Sequence, residues 1–287
     1  MTFEFWFMFP AALVISTLAM ASGIGGATFF SPLLILALRL PPEVAIGTAL
    51  ITELFGFGSG LLAYGRQRVI DYKLGLLMLA ATVPLAILGT FAAGVIEPDI
   101  LKIVLGVGLA AVAISFLHTP REQDIHQMTA AAIEHAEAHG PETCITAKDG
   151  EKICYRVDRK VQGMITAGVG GLFVGLISTG LGELNDYFLL RRCKVPSRVG
   201  VATSVFVIAV TVLVASGSHV VRFAQAGPET LLKVASIVVF TVPGVLIGGQ
   251  VGPAIASKIP DRVMELSLGI LFVTIALLTI GEVVLAH

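Results

Sequence analysis

The sequence is short of charged residues. Asp, Glu, Lys and Arg make up 14% of its 287 residues, whereas a soluble globular domain carries roughly 25%. So few charges cannot cover a water-soluble globule of this size, and a chain this apolar does not stay disordered. The net charge of −1 gives no basic footprint for DNA or RNA, so we expect no nucleic-acid partner. Three cysteines do not make a disulfide framework.

Long apolar runs are what the chain has instead. Hydrophobic residues make up 55% of it and the mean hydropathy is +0.90. A membrane-spanning helix needs about 20 mainly apolar residues. The runs of suitable length are Phe3–Ala21, Val44–Tyr64, Leu74–Ile96, Leu101–Leu117, Val161–Ile177, Arg198–Ser216, Thr230–Ala256 and Val263–Gly281. Two further runs, Thr28–Leu38 and Leu184–Leu190, are too short to span as regular helix. We predict an all-α polytopic membrane protein in a lipid bilayer.

The same order of landmarks occurs twice along the chain. Gly23-Ile24-Gly25-Gly26 and Gly180-Leu181-Gly182-Glu183 each precede one of the short runs. A proline and a stretch of small residues follow in both cases, from Pro42 to Ala49 and from Pro196 to Ser204. The later matches are Thr82-Val83-Pro84 with Thr241-Val242-Pro243, Gly89 with Gly248, and Pro98-Asp99 with Pro260-Asp261. Matches in the same order indicate an internal repeat.

The positions of Lys and Arg predict how the repeats are oriented, because cytoplasmic loops carry an excess of both. If the short runs span, each half crosses five times and the second half is inverted. With the N-terminus outside, fifteen of the 19 cationic residues then face the cytoplasm, and the four on the outer side are Arg39, Lys102, Arg222 and Lys233. With four crossings per half, either the 66–73 or the 191–198 cluster faces outward. We therefore predict two inverted repeats, residues 1–117 and 161–287, of about five segments each, with broken or short helices at their centres.

Residues 118–160 form a polar insert, expected to be cytoplasmic. Arg121–His139 predicts a helix, and Thr143–Val157 predicts a β-hairpin around the turn pair Asp149-Gly150. In that register Cys144 opposes Tyr155, so Cys144 and Cys154 point to opposite faces and we expect no disulfide between them, in keeping with a reducing compartment. Three roles remain open for the insert: a cap, a regulatory element, or an oligomer contact, for example in a homodimer.

Two histidines of this helix, His135 and His139, lie one turn apart and could share a metal. An exposed polar helix face is the commoner explanation, and we predict no metal site. The sequence also shows no P-loop, no metalloprotease spacing and no dinucleotide fingerprint outside the membrane runs. We therefore predict no cofactor and no catalytic residue. An intramembrane enzyme, an alternative function, would need a catalytic set at membrane depth, where the histidine candidate is His219.

The two glycine-containing breaks are the candidate substrate site. Broken helices occur at membrane depth only where protein or water surrounds the backbone, and the N-terminal amides of the helix that follows attract anions. Paired interrupted segments point to a transporter's binding site, although such glycines also permit close helix packing. The candidate residues at the breaks are Gly23, Gly25, Gly26, Thr28, Gly180, Gly182 and Asn185.

Polar residues in the following helices extend this candidate site. Thr48, Thr203 and Ser204 fall one turn after the prolines, where their hydroxyls could donate to an anion or bond back to their own helix. Glu53 lies inside an apolar run, and ionisable groups at membrane depth are usually functional. We predict Glu53 as a proton-coupling residue, with a polar helix contact as the alternative.

Together the duplicated motifs resemble the sulfite exporter TauE/SafE family, also called the toluene-sulfonate uptake permease family. The resemblance rests on Gly23-Ile24-Gly25-Gly26 with Pro32 and Pro42 to Ala49, and on the copy from Gly180 to Ser204. It implies secondary transport of small sulfur-containing anions such as sulfite, sulfoacetate or other organosulfonates across the cytoplasmic membrane. Departures are Glu183-Leu184-Asn185, where a further glycine run would be typical, and the long polar insert. A permease for another small organic anion is the nearest alternative.

Overall fold

The structure is a computed structural model that describes residues 3–22, 26–117, 122–180, 188–189, 193–256 and 261–286. These parts of the chain are almost entirely helical. After a short 3-10 turn at Phe3–Phe5, the helices are α1 (Met8–Ser22), α2 (Ala27–Leu36), α3 (Pro42–Gln67), α4 (Tyr72–Ala93), α5 (Pro98–Leu117), α6 (Glu122–His139), α7 (Lys160–Ile177), α8 (Ser197–Ala226), α9 (Pro228–Ala256) and α10 (Asp261–Ala286). Two short strands, β1 (Thr143–Thr146) and β2 (Lys152–Tyr155), lie between α6 and α7.

Length and composition make this a membrane bundle. Within the described residues, six helical segments are long and apolar enough to span: α3, α4, α7, α8, Pro228–Val251 of α9 and Leu266–Val284 of α10. Large apolar side chains on these helices point outward, for example Leu62 and Leu277, which are 65% and 66% exposed. In a bilayer such side chains face lipid, while backbone polar groups are satisfied within each helix. The predicted all-α polytopic membrane fold is confirmed.

Helices from the two halves pack in matched combinations. α1 packs on α9 as α7 packs on α4, and α3 packs on α9 as α8 packs on α4. Gly248 and Gly89 explain why the sequence matches there. A methyl group at Gly248 would lie 2.6 Å from the Leu13 carbonyl oxygen, and one at Gly89 would overlap the Leu172 carbonyl oxygen. Each glycine therefore permits the closest approach between two helices.

Corresponding helices run in opposite directions where they meet. Gly47, near the start of α3, packs on His219 and Phe223, near the end of α8, whereas Gly60 packs on Val205. α5 and α10 are likewise antiparallel, because Lys102 Nζ lies 2.9 Å from Glu282 Oε1 and Gly106 packs on Ile280 and Ala276.

The insert docks at one end of this bundle, where α3 ends and where α4 and α8 begin. The backbone N–H of Lys148 donates to the Gln67 carbonyl oxygen at 2.9 Å. Arg198, in the first turn of α8, donates to Asp149 at 2.8 Å and to Glu151 at 2.6 Å. We call this the insert end. At the opposite end, Arg222 forms an ion pair with Glu43.

The predicted hairpin is present, but the predicted register is wrong. Cys144 faces Cys154 and Ile145 faces Ile153, and Cys144 and Cys154 form a disulfide. Ala147 N–H donates to the Glu151 carbonyl oxygen at 2.9 Å, which closes a three-residue loop with Gly150 at φ +88°. The expected two-residue turn would shift the pairing by one residue and separate the cysteines. The expectation of no disulfide is corrected accordingly.

The helix of the insert is anchored by the side chain of His135. His135 Nε2 lies 3.1 Å from Asp158 Oδ2, and its Nδ1 lies 3.1 Å from Lys194 Nζ. The side chain of His139 is outside the described residues. Within the part of the chain that the structure describes, no three potential metal ligands form a group. His135 thus has a structural partner that the sequence pattern did not show.

Candidate functional site

Described residues beside the two breaks meet in a cluster of buried hydroxyls. Thr28, at the start of α2, lies 3.0 Å from Thr179 between their Oγ1 atoms. Ser31, one turn further on, hydrogen-bonds to Ser178. All four side chains are buried. We call Thr28, Ser31, Ser178 and Thr179 the hydroxyl cluster.

Local backbone geometry positions this cluster. α7 ends at Ile177, after which Ser178 has φ 59° and Gly180 has φ +104°. A positive φ is costly for most residues but free for glycine, so the chain turns sharply away from α7 at this point. The methyl group of Thr179 faces Gly108, about halfway along α5. The hydroxyl cluster therefore lies near the middle of the bundle rather than at an end.

Only part of the predicted site falls on described residues. Thr28 belongs to the hydroxyl cluster. Gly26 directly precedes α2 and Gly180 follows Thr179, so both glycines lie beside the cluster. Gly23, Gly25, Gly182 and Asn185 lie outside the described residues. The reasoning from sequence missed Ser31, Ser178 and Thr179. The dipeptide Ser178-Thr179 directly before Gly180 was the available signal, since polar residues beside a membrane break need partners.

Thr48 and Thr203 do not come together. Gly47 lies beside His219 whereas Gly60 lies beside Val205, and a helix rises about 1.5 Å per residue. The neighbours of Thr48 and those of Thr203 are thus separated by roughly 20 Å along the α3–α8 pair. The Thr48 hydroxyl donates to the Val44 carbonyl oxygen at 2.7 Å, the back-bonding that the sequence left as an alternative.

Thr203 and Ser204 lie at the insert end, where Thr203 is part of a chain of hydrogen bonds. The backbone N–H of Asp71 donates to Thr203 Oγ1 at 3.0 Å. The Asp71 carboxylate caps α4 by accepting from Leu74 N–H at 3.0 Å, and it accepts from the Tyr155 hydroxyl at 2.6 Å. Tyr155 is fully buried, and burial together with this hydrogen bond raises the pKa of its phenol. The insert thus reaches a candidate binding residue through a single residue, Asp71, whose carboxylate bonds to Tyr155 and whose backbone N–H bonds to Thr203.

Three buried polar atoms on α8 have no partner among the described residues. They are Ser204 Oγ, Ser216 Oγ and His219 Nδ1. Such orphaned groups are rare, and each calls for water, a ligand or a functional role. Ser204 is a predicted site residue, and its hydroxyl is available to a ligand or a water. His219 Nε2 lies 3.4 Å from the Gly175 carbonyl oxygen, and its ring packs against Phe223.

Hydroxyl pairs join the halves of the bundle at two further points. Thr52 of α3 bonds to Thr241 of α9 at 2.8 Å, and Thr82 of α4 bonds to Thr211 of α8 at 2.9 Å. Thr82 and Thr241 were matched landmarks in the sequence, and the matched residues make matched contacts. Glu53 follows Thr52 near the middle of α3 and is 6% exposed. A carboxyl group in that position is costly unless it is paired or functional.

These features define a class of protein: a multi-pass helical membrane protein whose interrupted helices converge on buried donors at mid-depth, the arrangement found in secondary transporters. The family profile described as "Sulfite exporter TauE/SafE" matches residues 8–279. The chain belongs to this family, and the resemblance stated from its motifs is confirmed.

Curated relatives agree with this assignment. The chain is 25% identical over 277 residues to the probable membrane transporter protein YunE of Bacillus subtilis (strain 168), covering 94% of this chain and 95% of that one. It is 27% identical over 262 residues to YjnA of the same organism, covering 86% and 89%. A third relative is the probable membrane transporter protein ORF9 of Sinorhizobium sp, 32% identical over 42% of this chain and 46% of that one. No solved structure matches the chain significantly. These relatives are named as transporters, and this chain is a membrane transporter rather than an enzyme.

Proposed function

We propose that the protein is a secondary transporter of small sulfur-containing anions, such as sulfite, sulfoacetate or other organosulfonates, and that it works by alternating access. The observation that carries the proposal is that residues beside both breaks form the hydroxyl cluster near the middle of the bundle. Membership of the sulfite exporter family supports the choice of anion.

The chemistry of the cluster suits such an anion. A sulfonate or sulfite group spreads its charge over three oxygens, each of which accepts hydrogen bonds. Hydroxyls and helix N-terminal amides supply donors without a buried cation, which would be expensive at this depth. In the structure the cluster hydroxyls bond to one another in pairs, so a bound anion would replace these pairs. Gly26 and Gly180 lie beside the cluster, and Gly23, Gly25, Gly182 and Asn185 stay predicted members of the site.

The helix directions support alternating access by two inverted repeats, residues 1–117 and 161–287. α3 is antiparallel to α8, and α5 to α10, although each pair occupies matching positions in the two halves. Such repeats commonly rock against each other around a fixed site. The pairs Thr52–Thr241 and Thr82–Thr211 lie between the halves, where rocking would break and remake them.

The charge distribution supports an insert that faces the cytoplasm. Arg66, Arg68 and Lys73 flank the turn at the insert end, and the cations of the insert lie there too, whereas Arg39, Lys102, Arg222 and Lys233 lie at the opposite end. A Lys148→Cys variant without the native cysteines should therefore resist a membrane-impermeant thiol reagent in intact cells. If position 148 were labelled and a Lys233→Cys variant were not, the insert would face the outside instead. A homodimer stays a prediction.

Flux into liposomes tests the function. Purified protein should move labelled sulfite or a sulfonate, and unlabelled sulfate and acetate should compete poorly. Thr28→Val and Thr179→Val should each weaken the apparent affinity by roughly 10- to 150-fold, because each removes a hydroxyl from a charged ligand at a cost of about 1.5–3 kcal/mol. Thr274→Val, which removes an exposed hydroxyl bonded to its own helix, is the matched control. Strong competition by acetate would favour a carboxylate permease, and wild-type affinity in both cluster variants would remove the cluster from the site.

A further inference from the structure

The disulfide of the insert lies on the outer face of the hairpin. Ile153 and Tyr155 are buried against the bundle, whereas Cys144, on the other face, is exposed and Cys154 is partly buried. The bond joins directly opposed residues of two four-residue strands. Because an isolated two-stranded hairpin is marginally stable at best, a covalent link at this position holds the strands in register.

A pocket lies beside this bond. It has a volume of about 220 Å³ and is lined by Cys154, by Lys152 and Glu151 of the hairpin segment and by Glu137 of α6, among others. Glu151 is already paired with Arg198. The ammonium group of Lys152 is thus the charge in the pocket that would attract a small anion, and the carboxylate of Glu137 is the negative charge that opposes it. The pocket also places Lys152 beside Cys154.

The hairpin is also joined to the transport helices. The Tyr155 hydroxyl donates to Asp71, and the Asp71 N–H donates to Thr203. Lys148 bonds to the end of α3 and Arg198 of α8 bonds to the hairpin loop. A change in the hairpin would therefore alter the contacts at the end of α3 and at the start of α4 and α8.

The location of the bond argues for reactivity. On the proposed orientation the insert lies on the cytoplasmic side, and cytosolic disulfides, when present, are usually transient and catalytic or redox-sensing. Exchange at a disulfide depends on access to its sulfurs, and here one sulfur belongs to an exposed residue.

We propose that the Cys144–Cys154 disulfide is a modification site for sulfite, and that the modification opens the hairpin on the side of the membrane that the insert faces. The inference rests on the proposed function for its choice of anion. The sulfur lone pair of sulfite attacks Cys144 Sγ, a sulfur–sulfur bond forms to give S-sulfocysteine, and the Cys144–Cys154 bond breaks. Cys154 leaves as a thiolate beside Lys152 and takes a proton from water. No external oxidant or reductant is needed, and attack by the Cys154 thiolate on S-sulfocysteine reverses the step.

Opening the bond leaves the hairpin held by non-covalent contacts alone. The two strands then separate more often, and the contact from Tyr155 to Asp71 is lost in the open form. The transported anion would in this way loosen the insert end of its own transporter. Sulfate and sulfonates have no nucleophilic sulfur, so they leave the bond intact even where they bind as substrates.

Mass spectrometry of the intact, oxidised protein in nanodiscs tests the reaction. Sulfite should add one sulfonate to Cys144 and free one thiol at Cys154, as read by peptide mapping. Sulfate and sulfoacetate should add nothing, and reduced glutathione or dithiothreitol should free both thiols. Cys193 serves as an internal control, because burial raises the pKa of its thiol to about 11 and the residue is outside the disulfide. No adduct after sulfite, or two free thiols in the oxidised preparation, would overturn the proposal.

Hydrogen exchange of residues 143–155 tests the opening. Sulfite should raise exchange there to the level of a Cys144→Ser/Cys154→Ser variant, whereas Cys193→Ser should behave as wild type. If the adduct formed without faster exchange, the claim that the disulfide holds the hairpin closed would be refuted. Failure of the proposed function is distinguishable: if no sulfur anion is transported in liposomes but the adduct forms and exchange rises, the inference on the disulfide stands and the substrate assignment falls.

Discussion

The hydrogen bond from Tyr155 to Asp71 offers the sharpest test of how the insert is attached. Tyr155 is fully buried and Asp71 is 5% exposed. A Tyr155→Phe variant keeps the aromatic ring and removes only the hydroxyl that donates to Asp71 Oδ2 at 2.6 Å. The Asp71 carboxylate retains Leu74 N–H as a donor through its other oxygen, so the cap of α4 survives and the variant should fold.

The expected cost follows from the charge of the acceptor. A hydrogen bond to a charged group contributes about 1.5–3 kcal/mol, and a buried acceptor left unpaired costs a similar amount. Because 1.4 kcal/mol is a tenfold change in an equilibrium constant, the hairpin should open about 10 to 150 times more often than in the wild type. The cost should appear as local opening rather than as global unfolding, since the remaining contacts of the hairpin lie within the insert, at α6, and at the insert end of the bundle.

Hydrogen exchange followed by mass spectrometry measures this opening. The amide of Lys148 is the natural reporter, because it bonds to the Gln67 carbonyl oxygen only while the hairpin is docked. Tyr72→Phe is the matched control, since Tyr72 is 54% exposed at the start of α4. If exchange across residues 143–155 were the same in Tyr155→Phe and wild type, the bond to Asp71 would not hold the insert and the reasoning would fail.

Three further predictions test packing, charge and coupling. Gly248→Ala should lower the melting temperature by an amount equivalent to about 1–3 kcal/mol, because its methyl group meets a backbone carbonyl, whereas Gly281→Ala, with nothing within 4 Å, should not. The hydrogen bond from Arg198 lowers the pKa of Asp149 in the folded protein below its ordinary value of 3.8. The stabilisation of the hairpin by this pair is therefore complete above pH 3.8 and is lost as the pH falls through the lower pKa of the folded state. Hydrogen exchange of the hairpin, corrected for intrinsic pH effects, should rise only in that acidic range. Glu53→Gln should retain substrate binding but lose the pH dependence of liposome flux, and an unchanged dependence would remove Glu53 from the coupling mechanism.

Most of the helical architecture could be predicted because bilayer thickness dictates the length of apolar runs. The run Val44–Tyr64 lies inside α3, and the short run Thr28–Leu38 corresponds to α2. The repeat was visible because close helix contacts demand glycine in both copies, as at Gly89 and Gly248. The hairpin register was not predictable from its turn pair, since Asp149-Gly150 fits both a two-residue loop and the observed three-residue loop with glycine in the left-handed region.

The site was harder to predict because matched residues of the two halves were all expected to meet at one place. Inverted repeats place matched residues at equal distances on opposite sides of the midplane. Thr48 and Thr203 each lie near the start of their helices, and because α3 and α8 are antiparallel, the two residues lie toward opposite ends of the bundle. Thr28 and Thr179 meet because their breaks lie near mid-depth in both halves. Only residues close to the midplane can converge on one anion, which is why the hydroxyl cluster is the better candidate.

The matched threonines also differ in their partners, and this difference bears on mechanism. Thr48 bonds within its own helix, whereas Thr203 bonds to Asp71 and through it to the hairpin. In a transporter built from inverted repeats, the two access states are related by exchanging the conformations of the halves. A contact present in only one half must favour one of those states. If Tyr155 and Asp71 are joined only while the insert end is closed, a bond of about 1.5–3 kcal/mol shifts the balance toward that closed state by about 10- to 150-fold. The insert then sets how often the binding site opens to the side that it faces, without contacting the anion.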